Sequence, residues 1–474
     1  MVERIGFRAL MIGVSAAVLA GCAGLPDATM PPGAKSVSAY AADQTLAAAP
    51  ADWPSQDWWT AYNDPQLTAL ITEALAGSPD MVAAEARVGH ARSALGEVRA
   101  GLLPTLKGQA SVAEAKDSYN DGIPALFVPK GYNDIGNLQL DFSYDFDFWG
   151  KTRAAVAAAT SEAKASEADA AAARLTLSTA VASTYADLGR LFAERDVAER
   201  SVATLQETFD LVTRRVANGL DTRGELKQAG AGVPAAKAEL AAIDEQIAQT
   251  RDALAALMGE GPDRGLSIQR PAEATLKPFG LPDHLAADLI GRRPDVVAAR
   301  WRAEAAARRV GEAKARFYPD INLTAFVGYQ SLYLRELFAS GSDVGQVGPA
   351  LSLPIFEGGQ LKAGLKGAKA DYAGAVASYD GAVTQALRDV ADVTASERAL
   401  SARLQDSRDA LAAQEEAYRI ARLRYEGGLS NYQTVLIAED SVLQSRRTVV
   451  DLQARAFSLD VQLVKALGGG FTQA

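Results

Sequence analysis

From Asn137 to Trp149 the chain reads NLQLDFSYDFDFW, polar and apolar residues alternating for twelve positions. A period of two predicts a strand whose two faces differ in character. Leu138, Leu140, Phe142, Tyr144, Phe146 and Phe148 share one face, and Gln139, Asp141, Ser143, Asp145 and Asp147 share the other. Alternation elsewhere brings the expected strands to four, over 105–116, 133–148, 320–331 and 345–356. In INLTAFVGY the apolar side is Ile321, Leu323, Ala325, Val327 and Tyr329; in VGPALSLPI it is Val347, Leu351, Leu353 and Ile355.

The period then changes. Residues 130–233 and 355–474 contain no proline, and 150–217 is rich in Ala, Glu and Arg, strong helix formers. A single helix of that length extends about 100 Å, and residues 358–426 predict its twin. Leu404, Leu411, Tyr418 and Tyr425 recur every seven residues, a spacing that favours left-handed supercoiling against neighbours. Pro234 is expected to kink or interrupt the helix that follows the first long one.

The chain is also written twice. Residues 79–112 laid over 294–327, at a constant shift of 215, match at 13 of 34 positions without a gap, among them Pro79 with Pro294, Gly96 with Gly311 and Pro104 with Pro319. Further on Gly150 matches Gly358 and Gly219 matches Gly428. Each half reads helix, strand, strand, very long helix, turn, long helix. The first helix of each half starts at a proline and stops before the next, as proline chemistry requires. The expected division is a first repeat over 58–270, a second over 271–470 and a tail over 471–474. A period this long makes two pseudo-equivalent halves rather than a solenoid.

Composition alters the reading mainly at the N-terminus. Arg4 and Arg8 precede an apolar run from Ala9 to Ala20 that closes on LAGC, the form of a secretory leader over 1–21. The run is too short to span a bilayer. Cys22 is the only cysteine, which excludes an intramolecular disulfide and a cysteine-built zinc site. LAGC resembles the bacterial lipobox, which implies a diacylglycerol and an N-acyl chain on Cys22 at the head of a tether over 22–57. Ala23 in place of an aspartate favours the outer membrane. Loss of Glu3, Arg4 and Arg8 with the leader moves the net charge from −10 to −11, so nucleic acid is not an expected partner. No run of 18 apolar residues follows Cys22, so any crossing of a membrane must use strands.

In hydrocarbon every backbone N–H and C=O must be paired, and only a closed barrel achieves this with strands. Four strands are too few, since the smallest barrels have about eight. Several chains must then share one barrel, with Leu138, Leu140, Phe142, Tyr144, Phe146, Phe148, Ile321, Leu323, Leu351 and Leu353 facing lipid. Gln139, Asp141, Ser143, Asp145 and Asp147 would line a water-filled lumen, three carboxylates per chain biasing it toward cations. Phe148, Trp149, Phe317, Tyr318 and Phe356 gather where strands meet helices and suit an interfacial belt.

Four motifs, WWTAYNDPQLTALITEAL (58–75), RRPDVVAARWRAEAAARRVGEAKARFYPDI (292–321), LPIFEGGQL (353–361) and YEGGLSNYQTVL (425–436), resemble the TolC-like outer-membrane factors of tripartite efflux systems, in the lipoprotein branch called NodT or OprM-like. The resemblance implies a mixed fold of α-helix and membrane strand: a homotrimer with a 12-strand barrel continuous with a periplasmic helical barrel. Its expected partners are a periplasmic adaptor, an inner-membrane RND-type pump and outer-membrane lipid. The tips NGLDTRGE and GGLSNYQ each offer a glycine for a left-handed helix end and a capping box, Thr222 with Glu225 and Ser430 with Gln433. Arg215, Gly219, Leu220, Asp221, Arg424, Gly428, Leu429 and Ser430 are the expected adaptor contacts. Relatives often narrow the entrance with acidic residues on the helix after the second tip; the comparable positions here are Thr434 and Ile437, which makes an aspartate gate doubtful.

His90 and His284 are the only histidines and lie in different halves of the chain. No phosphate loop, nucleophile elbow or dinucleotide fingerprint occurs, so no catalytic, metal or cofactor site is expected. The expected function is a passive exit duct for small toxic compounds. A lipid-anchored periplasmic coiled-coil scaffold without a pore is the alternative, and protein secretion or metal efflux are alternative cargoes.

Overall fold

A computed structural model describes residues 29–36, 39–42, 44–124, 126–272, 276, 279–283 and 285–473. Cys22 and His284 lie outside these. Chain order runs from a 3₁₀ turn, Trp58–Tyr62, through α1 (Pro65–Gly77), α2 (Pro79–Ala100), β1 (Thr105–Ala115), β2 (Asn133–Asp145), α3 (Lys151–Ala217), α4 (Arg223–Leu257) and the short α5 (Asp263–Leu266). The second half continues with α6 (Leu285–Arg292), α7 (Pro294–Ala315), β3 (Asp320–Ser331), β4 (Asp343–Ser352), α8 (Gln360–Glu426) and α9 (Tyr432–Ala466). The duplication is visible in the lengths: α2 and α7 have 22 residues each, α3 and α8 have 67, α4 and α9 have 35.

The chain separates into two units. The first, built on 89–166 and 299–379, holds the sheet, an antiparallel meander in the order β1-β2-β3-β4. Among the described residues β1 and β4 therefore each carry one unpaired edge. Two strands end earlier than alternation predicts. β2 stops at Asp145 rather than Phe148, because Asp147 turns into the left-handed region (φ 44°) to start α3. β4 stops at Ser352, so Leu353 and Ile355 flank Pro354, which has no N–H for a ladder, outside the strand.

The second unit, built on 35–88, 167–298 and 380–474, is helical. An apolar core there joins Trp58, Trp59 and Tyr62 to Leu67, Leu70 and Ile71 of α1, to Val181, Tyr185 and Leu188 of α3, and to Leu254 of α4. The WWTAYNDPQL motif is explained there. Asp64 caps α1 through the amides of Gln66 and Leu67 (2.8 and 3.0 Å), and its other oxygen takes the Tyr185 hydroxyl at 2.7 Å. In the RRPD motif Arg293, buried, donates to Asp295 at 2.6 Å and to Asp389 at 2.7 Å.

Part of the expected tether is bound to this unit. Ala51 and Leu281 exchange backbone bonds with Leu281 and Ala49 at 3.0 and 2.8 Å, and the Arg292 guanidinium stands 4.8 Å from the Trp53 ring. Pro234 does not interrupt α4, which is helical from Arg223 to Leu257. The proline still removes one donor, leaving the Gly230 carbonyl without its helical partner. The glycines near it let α3 approach closely: a Cβ at Gly230 would meet Phe209 of α3 at 3.1 Å, and one at Gly232 would meet Leu205 at 3.2 Å.

Candidate functional site

Residues paired across neighbouring strands point the same way. The register sets Leu106, Phe142, Ala325 and Val347 in one row and Gly108, Leu140, Val327 and Gly345 in the next. On that face Leu138 pairs with Tyr329, Tyr144 with Leu323, and Ile321 with Leu351. Leu106, Leu138, Leu140, Val327, Val347 and Leu351 are exposed, a continuous oily surface across all four strands.

The opposite face is mostly polar, with Ile135, Phe326 and Val344 as its large apolar residues. Gln139 lies between Gln109 and Gly328, Ser143 between Thr105 and Thr324, and Asp145 beside Asn322. Asp141 lies between Phe326 and Lys107, an opposite charge directly across the ladder that alternation in β1 could have revealed. Gln139 also donates to Asp141 at 3.0 Å. Asp145 accepts from the Asp147 amide at 2.9 Å and stands 3.9 Å from Lys151 Nζ.

Asp147 corrects the sequence reading. It lies past the strand, and its carboxylate accepts the free amides of Thr152 and Arg153 at the start of α3 (3.0 and 2.9 Å) and the Arg153 guanidinium at 3.2 Å. It is a helix cap rather than a carboxylate of the sheet face; Asp141 and Asp145 remain on that face and Asp320 joins them, met by the Lys151 ammonium at 2.8 Å. Above the oily face the rings of Tyr144, Phe146 and Phe148 follow one another at 5.2 and 5.6 Å. Trp149 stacks on Tyr318 at 4.8 Å and donates to the Pro319 carbonyl at 2.8 Å.

The second place of interest is the pair of tips, both within the helical unit. α3 and α8 end identically. Gly219 and Gly428 take φ of 74° and 72°, and the amides of Leu220 and Leu429 reach back to the carbonyls of Arg215 and Arg424 at 2.9 and 2.8 Å. This closes the last helical turn and leaves Leu220 (64% exposed) and Leu429 (73%) projecting. The restarts differ. Thr222 and Glu225 form the expected capping box. In the second tip the cap is Asn431, whose side chain accepts from the Thr434 amide at 3.1 Å, and Ser430 is not the cap.

Arg215 and Asp221 are not free contact residues. Arg215 donates through Nε and Nη2 to Asp221 at 2.9 and 3.3 Å and through Nη1 to the Glu426 carbonyl at 3.3 Å, and its guanidinium lies 4.3 Å from the Tyr425 ring. The Tyr425 hydroxyl donates to Asp221 as well. The side chains of Arg215 and Asp221 are only 11% and 6% exposed. The bond to Asp221 raises the Arg215 guanidinium further, and burial with that carboxylate as neighbour pushes the Tyr425 phenol up. The cluster fastens the first tip to the end of α8, a role for Tyr425 that its heptad position concealed. Arg424 occupies the position matching Arg215, but Ser430 stands where Asp221 would be, and Arg424 is exposed. On α9, Thr434 and Ile437 are also exposed.

Among the described residues no helix is long and apolar enough to cross a membrane. The chain matches the family described as outer membrane efflux protein over residues 70–260 and 285–469. It is 38% identical to the fusaric acid resistance protein FusA of Burkholderia cepacia over 377 residues, covering 77% of this chain and 70% of that one. It is 31% identical to the multidrug resistance outer membrane protein MdtP of Escherichia coli K12, over 88% of this chain and 87% of that one. Among solved structures it is similar to the outer membrane protein VceC of Vibrio cholerae, with a TM-score of 0.84, 47% identity, and coverage of 88% of this chain and all of that one.

Proposed function

The chain belongs to the outer membrane efflux protein family, and from that premise we propose how it works as an outer-membrane exit duct. The observation that carries the reading is the four-stranded sheet, oily on one face, polar on the other and unpaired at both edges. A sheet of this kind in a bilayer requires neighbours to complete its hydrogen bonds. An even number of antiparallel strands lets β4 of one copy pair antiparallel with β1 of the next, and three copies make a barrel of 12 strands. Leu138, Leu140, Phe142, Tyr144, Ile321, Leu323 and Leu351 then face lipid, while Gln139, Asp141, Ser143 and Asp145 face the lumen. Phe146, Phe148 and Leu353 lie beyond the strand ends, where Phe148, Trp149 and Tyr318 form the interfacial belt. Acyl chains on Cys22 anchor the mature N-terminus.

At the tips the exposed Gly219, Leu220, Arg424, Gly428 and Leu429, with the half-buried Ser430, are offered to a periplasmic adaptor, which couples the duct to an inner-membrane pump of the RND type. Arg215 and Asp221 support them from behind. Thr434 and Ile437 border the entrance, without carboxylates. The cargo class is small toxic organic compounds, supported by the resistance to fusaric acid and to multiple drugs named for the relatives. A wide duct contacts its cargo weakly, so the choice of cargo rests with the pump.

Incorporation of the purified protein into a planar bilayer tests the reading. Stepwise conductance is expected; its absence from protein that is folded and inserted would favour a scaffold without a pore.

A further inference from the structure

The two helical hairpins are built on one plan, with a constant shift of 209 residues between α3 and α8 and between α4 and α9. At one level the plan is broken. In the first hairpin Phe209 of α3 packs on Gly230 of α4, where a Cβ would meet its ring at 3.1 Å. The matching residues in the second hairpin are Tyr418 of α8 and Glu439 of α9. A phenol and a carboxylic acid thus replace an aromatic ring and a glycine, so the repeated architecture does not itself demand the acid.

Glu439 is 1% exposed. It sits on the same stripe of α9 as Val435 and Val442, both buried. Its Oε1 receives one long contact, from the Thr208 hydroxyl of α3 at 3.4 Å. Its Oε2 is buried without a hydrogen-bond partner. The charged and titratable groups around it do not supply one. From α3 comes Glu207, and from α8 come Tyr418 and Arg422; Asp440 and Tyr432 flank it on α9. Arg422 is committed to Glu207 and Glu426, each at 3.1 Å. Burial, with the Asp440 charge added, pushes the Glu439 carboxyl from 4.5 up to about 7.

We infer that Glu439 is a proton-operated latch: neutral, it holds the first turns of α9 against α3 and α8; ionised, it releases them. A buried carboxylate without a cation or a full set of donors is costly, and solvation is reached by moving α9 outward. Since a solvated carboxyl loses its proton near 4.5 and the packed one near 7, the hold is complete below about pH 4.5. It weakens as pH rises through that window and levels off above about 7. The segment affected carries Thr434 and Ile437. On the duct reading given above, the entrance therefore loosens toward neutral and alkaline pH and tightens in acid.

Hydrogen exchange of the backbone over 432–442 in the full-length, detergent-purified protein, corrected for the intrinsic pH dependence of exchange, tests the latch without relying on conductance. Protection in the unaltered chain is expected to fall by about tenfold or more between pH 5 and pH 8. Glu439→Gln, which keeps the shape and cannot ionise, should hold its protection constant, as should the pair Tyr418→Phe with Glu439→Gly, which copies the first hairpin. Equal pH responses in the unaltered chain and in Glu439→Gln, or no response in either, would overturn the inference. Conductance recorded against pH then asks separately whether a released α9 widens a pore; a latch without current would fault the duct reading alone.

Discussion

Asp221 holds more of the first tip than its position in a turn would indicate, because one carboxylate serves a guanidinium and a phenol arriving from different helices. Asp221→Ala leaves Arg215 enclosed without its bidentate partner, which costs about 2 kcal/mol. A lowered melting temperature and faster exchange at both tips are the expected readouts. Arg424→Glu should behave differently: the side chain is exposed, so stability is retained while co-purification of the adaptor is lost. On the face proposed to line the lumen, Lys107 is paired across the ladder with Asp141. Lys107→Gln is expected to shift the reversal potential toward cation preference, and Asp147→Asn to leave it unmoved, since that carboxylate is bound to the start of α3. Alternation in β1 could have revealed Lys107 opposite Asp141, but the tip cluster was not legible in the sequence. Tyr425 reaches Asp221 from a different element, and no local spacing records that meeting. Glu439 did leave a trace, an acid on an apolar stripe between Val435 and Val442.

At the scale of elements the sequence was far more legible, because proline and glycine act locally. Pro79 and Pro294 start their helices, and Gly219 and Gly428 end α3 and α8 in the left-handed conformation that a residue without a Cβ adopts freely. Alternation located all four strands but overran two of them. It continued through Phe146 and Phe148 after the backbone had turned at Asp147, because side-chain pattern does not record the amides that α3 needed capped. Pro234 does not break α4, and beside it Gly230 and Gly232 pack closely on Phe209 and Leu205, a tertiary contact that no local pattern records. Thr222→Ala removes the capping box and should destabilise the first hairpin by about 1 kcal/mol in thermal unfolding. Pro234→Ala restores the donor facing the Gly230 carbonyl and should raise stability by about 1 kcal/mol, the regained bond being partly offset by a freer unfolded chain.

For the molecule as a whole, the sheet and the family converge on a wall that one chain cannot close. The free edges of β1 and β4, the oily face spread across four strands and the similarity to VceC all bear on assembly rather than on any property of a single copy. Native mass spectrometry of the protein extracted in mild detergent tests this most directly. Three copies per particle are expected, held together without covalent links; a particle containing a single intact, folded chain would contradict the shared barrel.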